Sequence, residues 1–131
     1  METDRLRDYP VIILDSSILL SSIELKIDVE DEVDRIIPGG EIVVPSTVLD
    51  EVEAMRSAKA RAAVKLARRF EILTIKSSEG VDSSLVELAE RIISTGREAV
   101  VATADKKLRC RLKERGIRTI FVRGRNRLEL S

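Results

Sequence analysis

Histidine and tryptophan do not occur in this sequence, cysteine occurs once, and aromatic residues make up only 2% of it. Without histidine there is neither the commonest ligand of zinc and copper nor the usual base of a nucleophilic serine, so a zinc or copper site and a serine triad are not expected. A Ser–Lys pair stays open. The lone thiol, Cys110, has no partner within the chain, which suits a reducing compartment. Its place between Arg109 and Arg111 on an expected helix reads as a small, partly buried apolar residue. With so few aromatics, Val, Ile, Leu and Ala must fill the interior. No stretch approaches the ~18 apolar residues of a membrane span, and the opening METDRLRDYP lacks the hydrophobic run of a signal peptide, so a cytoplasmic protein with no membrane partner is expected. Net charge is absent as well, with 23 basic and 23 acidic residues, which excludes a simple basic tail or acidic arm.

What is present is a chain of 131 residues, 44% of them hydrophobic, enough for one domain with its own core. Residues 1–131 read as that domain, with 1–9 a lead-in and 124–131 a tail. The charges cancel in sum but not locally. Ten basic residues lie between Lys106 and Arg127 against Glu114 alone, while ten acids lie between Glu24 and Glu53 against Lys26 and Arg35. Runs of this kind are usually solvated helix faces; they also suit a polyanion and a cation respectively.

Short runs of Val and Ile alternate with longer helical patterns. Val11 to Leu14, Glu41 to Val44, Glu71 to Ile75, Ala99 to Ala102 and Thr119 to Val122 read as five buried strands. Helical periodicity spans Ile18 to Leu25, Asp31 to Ile37, Thr47 to Phe70 with a break near Ser57, Ser84 to Ser94, and Lys106 to Glu114, where Leu108 and Leu112 share a face. The alternation predicts right-handed crossovers and an α/β fold: a three-layer α/β/α sandwich around a mostly parallel five-stranded sheet. The tail could add a short last strand or remain an arm.

In such a sheet, ligands bind outside the carboxyl ends of the strands. Asp15 follows the first strand directly and Asp105 the fourth. Glu51 lies on the helix after the second strand, and Asp82 opens the helix after the third. Each aspartate taken singly suits a helix N-cap, and Glu51 an exposed helix position. Four carboxylates at one edge would instead repel one another unless a cation sat among them. Carboxylate oxygens are hard donors, so Mg²⁺ or Mn²⁺, one or two ions, fits best and points to phosphoryl transfer with a metal-activated water. The sequence lacks both G-x-x-x-x-G-K-[ST] and a G-x-G-x-x-G turn after the first strand, so a nucleotide-binding reading has no phosphate cradle.

The order V-I-I-L-D15-S-S, V-V-P-S-T-V-L-D-E51-V-E, V-D82-S-S-L-V-E-L-A and V-V-A-T103-A-D105-K-K-L-R resembles the PIN-domain nucleases. It is most similar to an archaeal branch related to ribosomal-RNA-processing PIN proteins, and more distantly to VapC-type toxins. The resemblance covers about Tyr9 to Arg127. It implies a metal-dependent endoribonuclease in which Asp15, Glu51, Asp82 and Asp105 form an acidic quartet around Mg²⁺ or Mn²⁺. Glu53 competes with Glu51 for the second position. It further implies support of metal or phosphate by Ser16, Ser17 and Thr103. Many members carry two adjacent acids at the third position, where this chain has Asp82 followed by Ser83, which leaves the number of ions open. RNA contacts then fall to Arg56, Lys59, Arg61, Lys106, Lys107, Arg109, Arg123 and Arg125. Scarce aromatics disfavour base stacking as the main source of binding. Partners implied are an RNA substrate, an antitoxin or an RNA-processing protein, and a second copy in a homodimer. A non-catalytic module that binds RNA or protein on the same fold is the alternative.

Overall fold

The computed structural model of the chain describes residues 9–76 and 79–131. Most of the expected lead-in therefore lies outside the described residues. The apolar runs become β1 (Val11–Leu14), β2 (Glu41–Pro45), β4 (Ala99–Ala102) and β5 (Arg118–Arg123). β3 (Glu71–Leu73) is two residues shorter than its run, because it forms an edge and is only partly buried. Between the strands lie α1 (Ser16–Leu25), α2 (Val29–Ile36), α3 (Ser46–Met55), α4 (Ala58–Ala67), α5 (Val81–Ser94) and α6 (Lys106–Glu114). The long pattern from Thr47 to Phe70 breaks at the expected point. Arg56 turns left-handed at φ 53°, and the Ser57 hydroxyl caps α4 by accepting the Ala60 N–H.

The sheet has six strands rather than five, in the order β3-β2-β1-β4-β5-β6. The sixth, β6 (Arg127–Leu130), comes from the tail and pairs antiparallel with β5, from Ile120↔Leu130 to Arg123↔Arg127. Gly124, at φ 65°, lies in the tight connection between them. Leu128 points into the core while Arg127 and Glu129 face out, the alternation of a half-buried strand. Side chains of α2 fix this strand from one end. Glu32 Oε1 accepts the Leu128 N–H at 2.9 Å, and Arg35 Nη2 donates to the Leu128 carbonyl at 2.8 Å.

β1 to β5 are mutually parallel, with β1 between β2 and β4 and in register Val11↔Glu41 and Leu14↔Ala102. Connections from β1 run toward β2 and β3, whereas the connection from β4 runs the opposite way to β5. Right-handed crossovers then place α1 to α4 on one face and α5 and α6 on the other, completing the three layers. One continuous aliphatic cluster fills the interior; β1 and β4 are buried along their whole length. Gly40 must lack a side chain, since a Cβ there would strike Ile12 and Ile37.

Two local expectations are corrected. Cys110 is exposed, not partly buried: Leu108 and Leu112 form the buried stripe of α6, and a residue two positions from Leu108 points away from it. Asp82 is not a helix cap. The helix begins at Val81 after Gly80, whose φ of 100° favours glycine, so Asp82 sits in the first turn.

Candidate active site

The carboxyl ends of β1 and β4 are adjacent, and there the chain connections diverge in opposite directions, which opens a crevice above the sheet. Asp15 and Asp105 stand at its two sides. Asp15 is still in the ladder, donating its N–H to the Ala102 carbonyl at 3.0 Å, and is only 3% exposed. Its Oδ1 accepts the Ser16 N–H at 2.7 Å and caps α1. Its Oδ2 accepts the hydroxyls of Ser17 and Thr103, each at 2.7 Å. The cap and the shared site thus coexist on one side chain.

Those two hydroxyls form a relay. Ser17 Oγ accepts the Ala104 N–H at 2.9 Å, and Thr103 Oγ1 accepts the Asp105 N–H at 3.0 Å. Each hydroxyl gives its one proton to Asp15, so their own 3.1 Å contact reflects convergence on a single oxygen. A buried carboxylate needs this compensation. The consequence is that Asp15 fixes the backbone of the loop carrying Asp105. Ser17 and Thr103 are thereby turned toward the acid, and the Ser16 hydroxyl also leans on Asp15 Oδ1, at 3.3 Å. Asp105 in turn caps α6, its Oδ1 accepting from Lys107 N at 2.8 Å and Leu108 N at 3.2 Å. Its Oδ2 takes no hydrogen bond among the described residues.

The other two acids arrive on helices. Thr47 Oγ1 and Ser84 Oγ lie 2.9 Å apart, joining the first turns of α3 and α5, and Ser84 Oγ donates to the Val81 carbonyl at 2.6 Å. Ser46 Oγ accepts the Ile75 N–H at 3.0 Å, tying the start of α3 to the chain after β3. Glu51 is four residues from Thr47 and shares its face. Glu53 points elsewhere and pairs with Arg68 at 3.2 Å. Sequence reasoning overlooked Ser46, Thr47 and Ser84 as positioning residues; the signal was a hydroxyl pair in the first turn after β2 and another in S83-S84.

Asp82 registers the convergence. Partial burial raises its carboxyl above the ordinary aspartate value, and the charges of Asp15, Asp105 and Glu51 raise it further, with Arg111 opposing. Arg111 donates to Ser83 Oγ at 3.1 Å, beside Asp82. The charges of the other three acids therefore all bear on Asp82 through space. The four acids are loosely gathered: among the described residues no three of them stand closely enough to hold an ion without adjustment. As a donor set they fit a hard divalent cation, being all oxygen, with Glu51, Asp82 and Asp105 at least partly exposed and Asp15 buried beneath them.

The basic residues divide. Lys106 and Arg109 line a groove beside the site. Lys107 is exposed outside it, and Arg125 is exposed in the turn between β5 and β6. Lys59 pairs with Glu24 and Arg123 with Glu129. Arg56 ends α3, and its carbonyl accepts from Arg61 Nη1 at 3.1 Å.

The model of the PIN like domain family matches residues 12–125, a span that holds all four acids. No curated protein matches the chain in sequence. Among solved structures, that of the PIN domain endonuclease Utp24 is similar, with a TM-score of 0.75 and 24% identity over 91% of this chain and 90% of the other.

Proposed function

The chain belongs to the PIN-like domain family, and on that premise we propose that it is a divalent-metal-dependent endonuclease that hydrolyses RNA phosphodiester bonds. The observation that carries this reading is the raised carboxyl of Asp82, on which the charges of Asp15, Asp105 and Glu51, each from a different strand–helix connection, all bear. Asp15, Glu51, Asp82 and Asp105 are the residues that would hold Mg²⁺ or Mn²⁺. When bound, such an ion supplies water activation at neutral pH and stabilises charge on phosphate oxygens.

The chain's own residues do the rest. Ser17 and Thr103 hold the buried Asp15 carboxylate in one orientation, each donating its hydroxyl to Oδ2. Asp105 keeps one oxygen on the N-terminus of α6, and its other oxygen takes no hydrogen bond among the described residues. Glu51 and Asp82, on facing helices, close the site from the side of β2 and β3. With no histidine in the sequence, no imidazole competes for the role of base.

The finer assignments complete the proposal: RNA as substrate, the cytoplasm as compartment, and work either in RNA processing or as a toxin restrained by an antitoxin. The second reading is a module on the same fold that binds RNA without cutting it. An assay with a labelled single-stranded oligoribonucleotide and a panel of phosphomonoesters separates them. Cleavage of the oligonucleotide that needs Mg²⁺ or Mn²⁺, stops with EDTA and is lost in Asp82→Asn supports the nuclease. RNA binding without cleavage supports the module, and turnover of phosphomonoesters alone refutes both.

A further inference from the structure

On α6, Lys106, Arg109, Cys110 and Lys113 recur at i, i+3, i+4 and i+7, which puts them on one face. That face, with Ile117 and Arg118 across from it, lines a groove of about 590 Å³. None of the lining side chains is acidic, and none of the lining residues belongs to the quartet. Arg109 is held in place, its guanidinium 3.7 Å from the centre of the Phe121 ring. Lys106 and Lys113 make no ion pair among the described residues. Arg118 is partly committed, donating from Nε to the Ser131 carbonyl at 3.0 Å and standing 4.0 Å from Glu98.

We propose that this groove binds a single strand of RNA through its sugar–phosphate backbone and leads it along the flank of the domain from the acidic edge. The nature of the strand rests on the nuclease reading. Continuity with the site is direct: Asp105 caps α6, and the next residue, Lys106, is the first cation of the groove. From there to Lys113 the helix climbs about 10 Å toward the amino end of the sheet. Cationic heads above an apolar floor of Ile117 and the aliphatic stems suit a chain of phosphates joined by sugars. The volume is that of a small-ligand cleft, so it takes one strand segment and excludes a duplex. Binding of this kind confers affinity and direction without sequence choice.

Cys110 gives the test its readout, because it is the sole cysteine, it is exposed, and it lines the groove. Maleimide alkylation of Cys110 and fluorescence anisotropy of a labelled oligouridylate are measured on the full chain in EDTA, where cleavage plays no part. The oligonucleotide should slow alkylation severalfold. Lys106→Gln and Lys113→Gln should each weaken binding roughly threefold or more and lower the salt slope by about 0.7. Lys65→Gln, which removes the same charge outside the groove, should leave both within experimental scatter.

An oligonucleotide that binds without protecting Cys110, and indifferently to Lys106→Gln and Lys113→Gln, overturns the proposal. Protection by polyglutamate but not by RNA overturns it too, in favour of an acidic protein partner. Protection by RNA in a protein that cuts nothing upholds the groove and removes the nuclease reading alone.

Discussion

Replacing Thr103 with Val removes one oxygen atom from a completely buried position and exposes how the site is held together. Thr and Val have nearly the same shape, but the hydroxyl is not dispensable here. Its proton goes to Asp15 Oδ2 at 2.7 Å and its lone pair to the Asp105 N–H at 3.0 Å. A hydrogen bond to a charged group contributes about 1.5–3 kcal/mol, and a backbone N–H left without its acceptor costs about 1 kcal/mol or more. The sum is roughly 2–4 kcal/mol, a fall in Tm of roughly 6 to 15 °C for a domain of this size. Thr103→Ser keeps both bonds and loses one buried methyl, about 1 kcal/mol. Thermal and urea unfolding followed by circular dichroism, run on the three proteins together, measure the difference. Val equal to or more stable than Ser at this position would mean that the hydroxyl relay does not form. As a positioning residue, Thr103 should also show in the ion: Mn²⁺ affinity should drop about tenfold or more in the Val variant and recover with Ser.

Asp82→Asn should raise the Tm of the metal-free protein by a degree or more, because it relieves repulsion from Asp15, Asp105 and Glu51; differential scanning fluorimetry in EDTA reads the sign, and a fall would argue against the converging field. Glu51→Gln should cut the rate of RNA cleavage by at least roughly a hundredfold while Glu53→Gln, which breaks only the exposed pair with Arg68, leaves it near that of the parent. Equal effects would displace the assignment of the second acid. For pH, Glu32 is informative: Arg35 and the Leu128 N–H hold its carboxyl below the ordinary value of 4.5. A lowered value in the folded state means stability that is fully present above that ordinary value and is lost as pH falls through the folded one. Acid unfolding curves of Glu32→Gln should therefore converge with those of the parent at low pH and separate above pH 4.5.

Where one local signal dominates, the sequence is enough. β1, β4 and α6 begin and end where the residues indicate, because each joins a dense apolar run or a strict i, i+4 pair to a helix-capping aspartate. The sixth strand is not decided locally, because R127-L-E-L130 is short and preceded by charges; pairing with β5 forms it, with the reach of Glu32 and Arg35 from nearly a hundred residues away. Cys110 misleads when it is treated as apolar and its angle from Leu108 is not counted. Strand ends alone suggest the four candidate acids, but only the structure shows that Glu51 bears on Asp82 while Glu53 pairs with Arg68, and that Asp15 is buried. Its position at a strand end suggests an acid whose loss would leave the fold untouched. Its four hydrogen bonds make it a structural residue as well, so Asp15→Asn confounds activity with stability.

The central claim is that four carboxylates brought to the crevice between β1 and β4 bind a divalent ion. Isothermal titration of Mn²⁺ into the parent protein and into Asp82→Asn, Glu51→Gln and Glu53→Gln tests it most directly. Binding in the parent and in Glu53→Gln, with loss in Asp82→Asn and Glu51→Gln, is the result the account predicts. Unchanged Mn²⁺ binding in Asp82→Asn and Glu51→Gln, or none in the parent, would contradict it.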